Sequence, residues 1–230
     1  MKSNEEQRVG VVIAAAGESR RMGGVDKVFA LLDGKPVLCR VVETFQKCNS
    51  IDRVVVVVNQ RNIELARQLV AEQGWSKVAE VCPGGERRQD SVVAGLGRLD
   101  QCRWVVIHDG ARPLVTVDLI ERGLAEAGET GAAVAAVPVT DTIKVAGDDR
   151  IVKQTPPRGN LWAVQTPQVF RFDIINEAYR RAKTEVTDDA SLVEQLGYKV
   201  KLYSGSYDNI KVTTPGDLAL AEVLWQKQEK

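Results

Sequence analysis

Residues 9–27 read VGVVIAAAGESRRMGGVDK. The run over 9–16 is short, apolar and free of polar alternation, which predicts a strand buried on both faces, as in a parallel sheet. It then breaks into Gly17, a serine, two arginines, a glycine pair and a lysine. Ala14, Ala15, Ala16 and Gly17 carry almost no side chain, so a ligand can lie directly against the backbone. The N–H groups of such a turn form an anion-binding concavity. Arg20, Arg21 and Lys27 add fixed positive charge. A backbone cradle followed by cations at the end of a first strand suits a nucleoside triphosphate. The plain alternative is a strand, a Gly-rich turn and a solvated basic loop. It stays open here, because the stretch matches neither GxxxxGK[ST] nor GxGxxG.

Outside this stretch, length and composition narrow the class. A chain of 230 residues is long enough for one large α/β domain or two small ones, and to bury roughly 70–75% of its unfolded surface. Lys+Arg and Asp+Glu both number 31, which argues against a general nucleic-acid binder, since that would carry a basic excess. The four cysteines (Cys39, Cys48, Cys82, Cys102) form no CxxC pair, and there is one histidine. A Cys/His zinc site is therefore not expected, and free thiols in a reducing cytoplasm are. The polar start MKSNEEQR has no signal-type apolar core, and no stretch approaches the ~20 apolar residues of a membrane span.

Downstream the pattern alternates. Helices are predicted at 36–45, 63–73, 90–99, 116–129, 173–182 and 190–196, with a last helix opening on Thr214-Pro215-Gly216-Asp217. Strands are predicted at 54–58 (five consecutive valines), 78–81, 104–107, 132–137 and 200–203, with a short return of the chain at 161–165. Such alternation indicates βαβ units around a parallel sheet. Residues 138–160 break the rhythm. Segments 142–145 and 151–153 flank an acidic tip and read as a hairpin with too few apolar residues to stand alone. It packs either on its own domain or, as an arm, on another subunit.

In such sheets ligands sit beyond the carboxyl ends of the strands. The loop after 78–81 holds Gly84, Gly85, Arg87, Arg88 and Ser91, and leads into a helix N-terminus that can bind a base, ribose or phosphate. The loop after 104–107 holds His108, Asp109, Gly110 and Arg112. Arg158, Thr187, Asp188 and Lys211 come from later loops. Each alone is ordinary: a strand-end aspartate commonly serves a turn, and Lys211 could be an exposed residue of an edge strand. A hydrolase relay of His108 with Asp109 is disfavoured, because neighbours on a strand point to opposite faces and no G-x-S-x-G elbow occurs.

The chain resembles the 2-C-methyl-D-erythritol 4-phosphate cytidylyltransferase family nearly end to end. The resemblance rests on AAAGESRRM at 14–22, GGERRQDSVVAGL at 84–96, HDGARP at 108–113, PVTDTIK at 138–144, TPPRGNLWAVQTPQVF at 155–170, TDDAS at 187–191 and DNIKVTTPGDLALAE at 208–222. It implies one Rossmann-like nucleotidyltransferase domain over 1–230, an α/β fold with a mostly parallel sheet flanked by helices, and residues 138–160 as a β-arm for homodimerisation. It also implies attack of a sugar-alcohol phosphate on the α-phosphorus of CTP, with Mg²⁺. By the resemblance, Arg21 and Lys27 stabilise the transition state and the leaving pyrophosphate. Arg158 and Lys211 orient the alcohol's phosphate. Ala15, Ala16, Gly17, Gly85, Ser91 and Asp109 hold CTP, and Asp109 approaches the metal through water. With the arm in place, Arg112 and Thr142 reach the neighbouring subunit's substrate, and Thr187 joins that pocket. Two positions depart from the family pattern: Asp26 precedes Lys27 where proline is usual, and Gly110 replaces alanine. Two alternatives remain, a ribitol 5-phosphate cytidylyltransferase and a nucleotide-binding module without turnover.

Overall fold

The structure, a computed structural model, describes residues 8–17 and 26–228. In chain order its elements are β1 (Val9–Ala15), β2 (Leu31–Leu32), β3 (Lys35–Pro36), α1 (Val37–Lys47), β4 (Arg53–Val58), α2 (Ile63–Gln73), β5 (Val78–Pro83), α3 (Arg88–Leu96) and β6 (Trp104–Asp109). There follow α4 (Val117–Thr130), β7 (Ala132–Pro138), β8 (Val145–Ala146), β9 (Val152–Gln154), β10 (Trp162–Arg171), α5 (Phe172–Arg181), α6 (Ala190–Gln195), β11 (Lys201–Ser204) and α7 (Pro215–Gln228).

Seven strands form one sheet in the order β11-β7-β10-β6-β1-β4-β5. β1 pairs in parallel with β4 and β6, β4 with β5, and β11 with β7. The valine run of β4 shows why a continuous apolar strand means burial on both faces. Val54, Val56 and Val58 join one core with Phe45 of α1, Ile63 of α2 and Leu119 of α4. Val55 and Val57 join the opposite core with Val92 of α3, Ile174 of α5 and Val193 of α6. Helix ends follow local chemistry. Thr116 Oγ1 accepts the Leu119 N–H at 3.2 Å to open α4, and Gly131 closes it in the left-handed region at φ 82°.

Three expectations need correction. Residues 161–165 are not a brief return but the start of a ten-residue strand, β10, which runs antiparallel to both β6 and β7. The helix expected over 90–99 begins at Arg88 and ends at Leu96, because Asp90 Oδ2 accepts the Arg87 N–H at 3.1 Å and so starts the helix two residues earlier. The predicted hairpin exists, but its strands are shorter: β8 and β9 pair Val145 with Gln154 and Ala146 with Val152, and every residue of both is exposed.

Candidate active site

Several loops at the carboxyl edge of the sheet pack closely because small residues permit it. β1 leaves the sheet through Ala16 and Gly17. Against it lies the loop after β5, where a Cβ added at Gly84 would stand 2.4 Å from both Ala16 Cβ and Ser91 Oγ. The loop after β6 lies on its other side: a Cβ at Gly110 would come within 2.7 Å of Ala15 Cβ, and the Gly110 N–H donates to the Ala14 carbonyl at 2.9 Å. Glycine at these two positions is what lets three loops converge.

Two clefts open where they meet. The first is lined by Ala14, Ala15, Ala16, Gly17, Lys27, Gly85 and Ser91. The second is lined by Arg112, Trp162, Gln168, Thr187 and Asp188. Arg88, Asp109 and Lys211 line both, so these three form the boundary between them.

Asp109 is the centre of that boundary. It is only 6% exposed, yet Lys211 Nζ lies 2.8 Å from Oδ2 and Arg88 Nε lies 3.2 Å from Oδ1. Arg112 Nε is 3.4 Å from Oδ2. Burial by itself would raise the acid's pKa, but the charges of Lys211, Arg88 and Arg112 outweigh it and hold the carboxyl well below its usual range. Asp109 is therefore an anion at any physiological pH. Arg88 is gripped from behind by Asp189, which is fully buried on α6's approach. Its NH1 and NH2 donate to Asp189 Oδ1 and Oδ2 at 2.9 and 2.7 Å. The Tyr179 hydroxyl also donates to Asp189 Oδ1. Asp189 and Asp109 raise the Arg88 pKa despite burial.

His108 faces away from both clefts and serves the loop. Thr166 Oγ1 accepts the Asp109 N–H at 3.0 Å and stands 3.1 Å from His108 Nδ1. His108 Nε2 is 3.1 Å from the Arg112 carbonyl, which can only accept. The proton is thereby assigned to Nε2, with Thr166 donating to Nδ1. The ring is fully buried and packs edge-on at 5.2 Å against Phe45. Burial pushes its pKa down to about 4, so it is neutral. The sequence argument against a His108–Asp109 relay agrees with this geometry.

The candidate residues divide as follows. Lys27, Ala15, Ala16, Gly17, Gly85, Ser91, Asp109 and Lys211 come together at the first cleft, and Arg112, Thr187, Asp109 and Lys211 at the second. Lys211 lies not in a strand but in the loop after β11, held there by the Val212 N–H donating to the Ala111 carbonyl at 2.8 Å. Arg112 turns into its own chain, where NH1 donates to the Asn209 carbonyl at 2.7 Å. Thr142 and Arg158 are exposed on the hairpin segment and line neither cleft; Arg158 NH1 donates to the Thr140 carbonyl at 2.7 Å. Arg20 and Arg21 fall outside the described residues. Among the described residues no group of three or more His, Cys, Asp or Glu could hold a metal. The sequence reading did not single out Asp189 or Tyr179, and it left Arg88 without a role. The signal for Arg88 and Asp189 is the second arginine of ERRQ and the second aspartate of TDD; neither motif includes Tyr179.

A mostly parallel sheet whose carboxyl edge joins a small-residue cradle, a glycine-rich loop and a lysine–aspartate boundary defines the α/β nucleotidyltransferase class. The model of the 2-C-methyl-D-erythritol 4-phosphate cytidylyltransferase family matches residues 9–227, and the chain belongs to that family. It is 54% identical over 221 residues to the enzyme of that name from Dehalococcoides mccartyi, covering 96% of this chain and 97% of the relative. The crystal structure of the enzyme of that name from Thermus thermophilus superposes with a TM-score of 0.77 at 34% identity, covering 96% of this chain and 100% of the other. That of 4-diphosphocytidyl-2C-methyl-D-erythritol synthase from Anaerococcus prevotii superposes with a TM-score of 0.85 at 28% identity, covering 96% and 99%.

Proposed function

We propose that this chain transfers the cytidylyl group of CTP to 2-C-methyl-D-erythritol 4-phosphate, giving the 4-diphosphocytidyl alcohol and pyrophosphate. One observation carries the assignment beyond family membership: two clefts share a boundary of Arg88, Asp109 and Lys211. CTP lies in the first cleft against Ala15, Ala16 and Gly17, with its base at Gly85 and Ser91. The phosphorylated alcohol lies in the second, near Arg112 and Thr187. The two reactants meet at Lys211.

The nucleophile is a phosphate oxygen that is already anionic. It forms a bond to the α-phosphorus while the bond to the pyrophosphate oxygen breaks, and no base has to remove a proton. The chain's part is to align two polyanions and offset their repulsion. Lys27 and Arg21 stabilise charge on the α-phosphate and the leaving group; Lys211 orients the attacking phosphate. Mg²⁺ would be held chiefly by the triphosphate, with Asp109, kept ionised by its cationic neighbours and lining both clefts, as the carboxylate to face it; bound there it would neutralise phosphate charge.

The hairpin is read as an arm to a second copy. Ile143, Val145, Ile151 and Val152 are exposed there by 38%, 44%, 65% and 53%, apolar surface that a homodimer would cover. Thr142 and Arg158 lie on the same segment, so dimerisation would carry them to the partner's second cleft. A cytoplasmic location fits the four buried free cysteines. Among the described residues no helix is long and apolar enough to cross a membrane.

Pyrophosphate release from CTP and Mg²⁺ tests the proposal, with 2-C-methyl-D-erythritol 4-phosphate and ribitol 5-phosphate as rival acceptors. Faster release with the first is expected. Faster release with ribitol 5-phosphate would reassign the acceptor. CTP binding without release from either would make the chain a nucleotide-binding module.

A further inference from the structure

Asn62 precedes α2 at a position where asparagine ordinarily caps a helix, its side-chain oxygen accepting a backbone N–H. Here it makes no such cap. The turn before α2 is opened instead by Asn59, whose Oδ1 accepts the Arg61 N–H at 3.2 Å. The Asn62 amide is directed elsewhere: Nδ2 donates to Asp26 Oδ2 at 2.6 Å, across a sequence separation of 36. A hydrogen bond of that length to a carboxylate is charge-assisted and among the stronger kinds.

Asp26 in turn starts the segment that follows the cradle loop. Its carbonyl accepts the N–H groups of Phe29 and Ala30 at 2.9 and 3.1 Å, and Oδ1 reaches the Val28 N–H at 3.4 Å. Lys27 is the next residue of this turn, and it lines the first cleft. The turn is thus fastened through Asp26 to the residue that opens α2, part of the packed body of the chain.

We propose that Asp26 and Asn62 are positioning residues: their hydrogen bond sets where the Lys27 ammonium stands relative to the triphosphate. This inference rests on the reading of Lys27 given above. A displacement of about 1 Å at a reacting site can cost on the order of 10²-fold in rate, so a tether at the base of the lysine is enough to matter.

The test is steady-state kinetics of the full chain with CTP, Mg²⁺ and 2-C-methyl-D-erythritol 4-phosphate. Asn62→Asp sets two carboxylates against each other while placing an acid at a helix N-terminus, which favours α2, so the fold is kept and the tether repelled. Its kcat should fall roughly tenfold or more, with the KM for the alcohol phosphate within about twofold. Adding Asp26→Asn should restore kcat, because the new amide at position 26 donates to the new carboxylate at position 62 while its oxygen still accepts from Val28. In a Lys27→Ala background, Asn62→Asp should cost nothing further, since both act through one ammonium. If Lys27→Ala is slow but Asn62→Asp is not, or if the swapped pair stays slow, or if the two losses add, the tether is overturned and the reading of Lys27 stands. If Lys27→Ala turns over at the full rate, Lys27 leaves the mechanism and the tether goes with it.

Discussion

Lys211 Nζ lies 2.8 Å from Asp109 Oδ2 at the line where the two clefts meet. The lysine side chain is 37% exposed and the aspartate 9%, so a ligand phosphate can approach the ammonium from the solvent side while the carboxylate stays behind it. Lys211→Met should therefore lower turnover by about 10²-fold, the usual scale for losing one charge stabiliser. Thermal unfolding should shift little, because Arg88 and Arg112 still face Asp109. Steady-state pyrophosphate release measures the first and a melting curve the second. Full turnover in this variant would remove Lys211 from the site.

Asp189 holds Arg88 and Tyr179 from a fully buried position. Asp189→Ala leaves a guanidinium half-enclosed without its main counter-charge, and breaking a buried pair from one side typically costs about 3–5 kcal/mol. Tyr179→Phe removes one hydrogen bond to a charged group and should cost about 1.5–3 kcal/mol. Denaturant unfolding of both variants checks the ranking. Equal losses would mean that Arg88 is compensated by some other route.

His108 gives a pH signature. Its pKa is pushed down to about 4 by burial, from 6.5, so between those values the unfolded chain takes up a proton that the folded chain refuses. Stability should therefore fall as pH drops from about 6.5 to about 4 and then level off for this group. The loss is about 3 kcal/mol at roughly 1.4 kcal/mol per pH unit. Carboxylates with depressed pKa values lose their contribution lower down; Asp217, lowered to about 2 by its bonds from Thr213 and Thr214, does so below pH 4. Urea unfolding across pH 4–7 should show the slope, and His108→Gln should flatten it.

Gly84 tests the convergence of the loops. A methyl group there meets Ala16 Cβ and Ser91 Oγ at 2.4 Å, so Gly84→Ala must push the loop after β5 away from the end of β1. Overpacking of this kind costs about 1–3 kcal/mol. CTP affinity should drop by about tenfold, the equivalent of about 1.4 kcal/mol. Calorimetric titration with CTP reads this directly, and an unchanged affinity would show that the nucleotide does not use this seam.

Most of the fold was legible because apolar runs and helical periodicity are local properties. The valines of β4, the face of α1 and the Thr116 cap each state their own structure. β10 was not legible, and the reason is chemical. Gln165, Thr166 and Gln168 interrupt its apolar pattern, yet they are 8%, 4% and 1% exposed. Gln165 and Gln168 bond Ser206 and Asp188, and Thr166 bonds His108 and Asp109. A strand whose polar side chains are satisfied by residues distant in sequence looks like a loop until the partners are known. The same holds for the site. The cradle alanines and Lys211 could be picked out from residue type and resemblance. The difference between Arg87, paired with Asp90 on the surface, and Arg88, half-buried against the fully buried Asp189, exists only in three dimensions.

The central claim is tested most directly by a crystal structure of the full chain with CTP and Mg²⁺ bound. The account predicts the triphosphate across residues 15–17 with Lys27 in contact, the cytosine at Gly85 and Ser91, and the α-phosphate open toward Lys211 and the second cleft. CTP seated elsewhere, or bound in the first cleft with its α-phosphate turned away from Lys211, would contradict it.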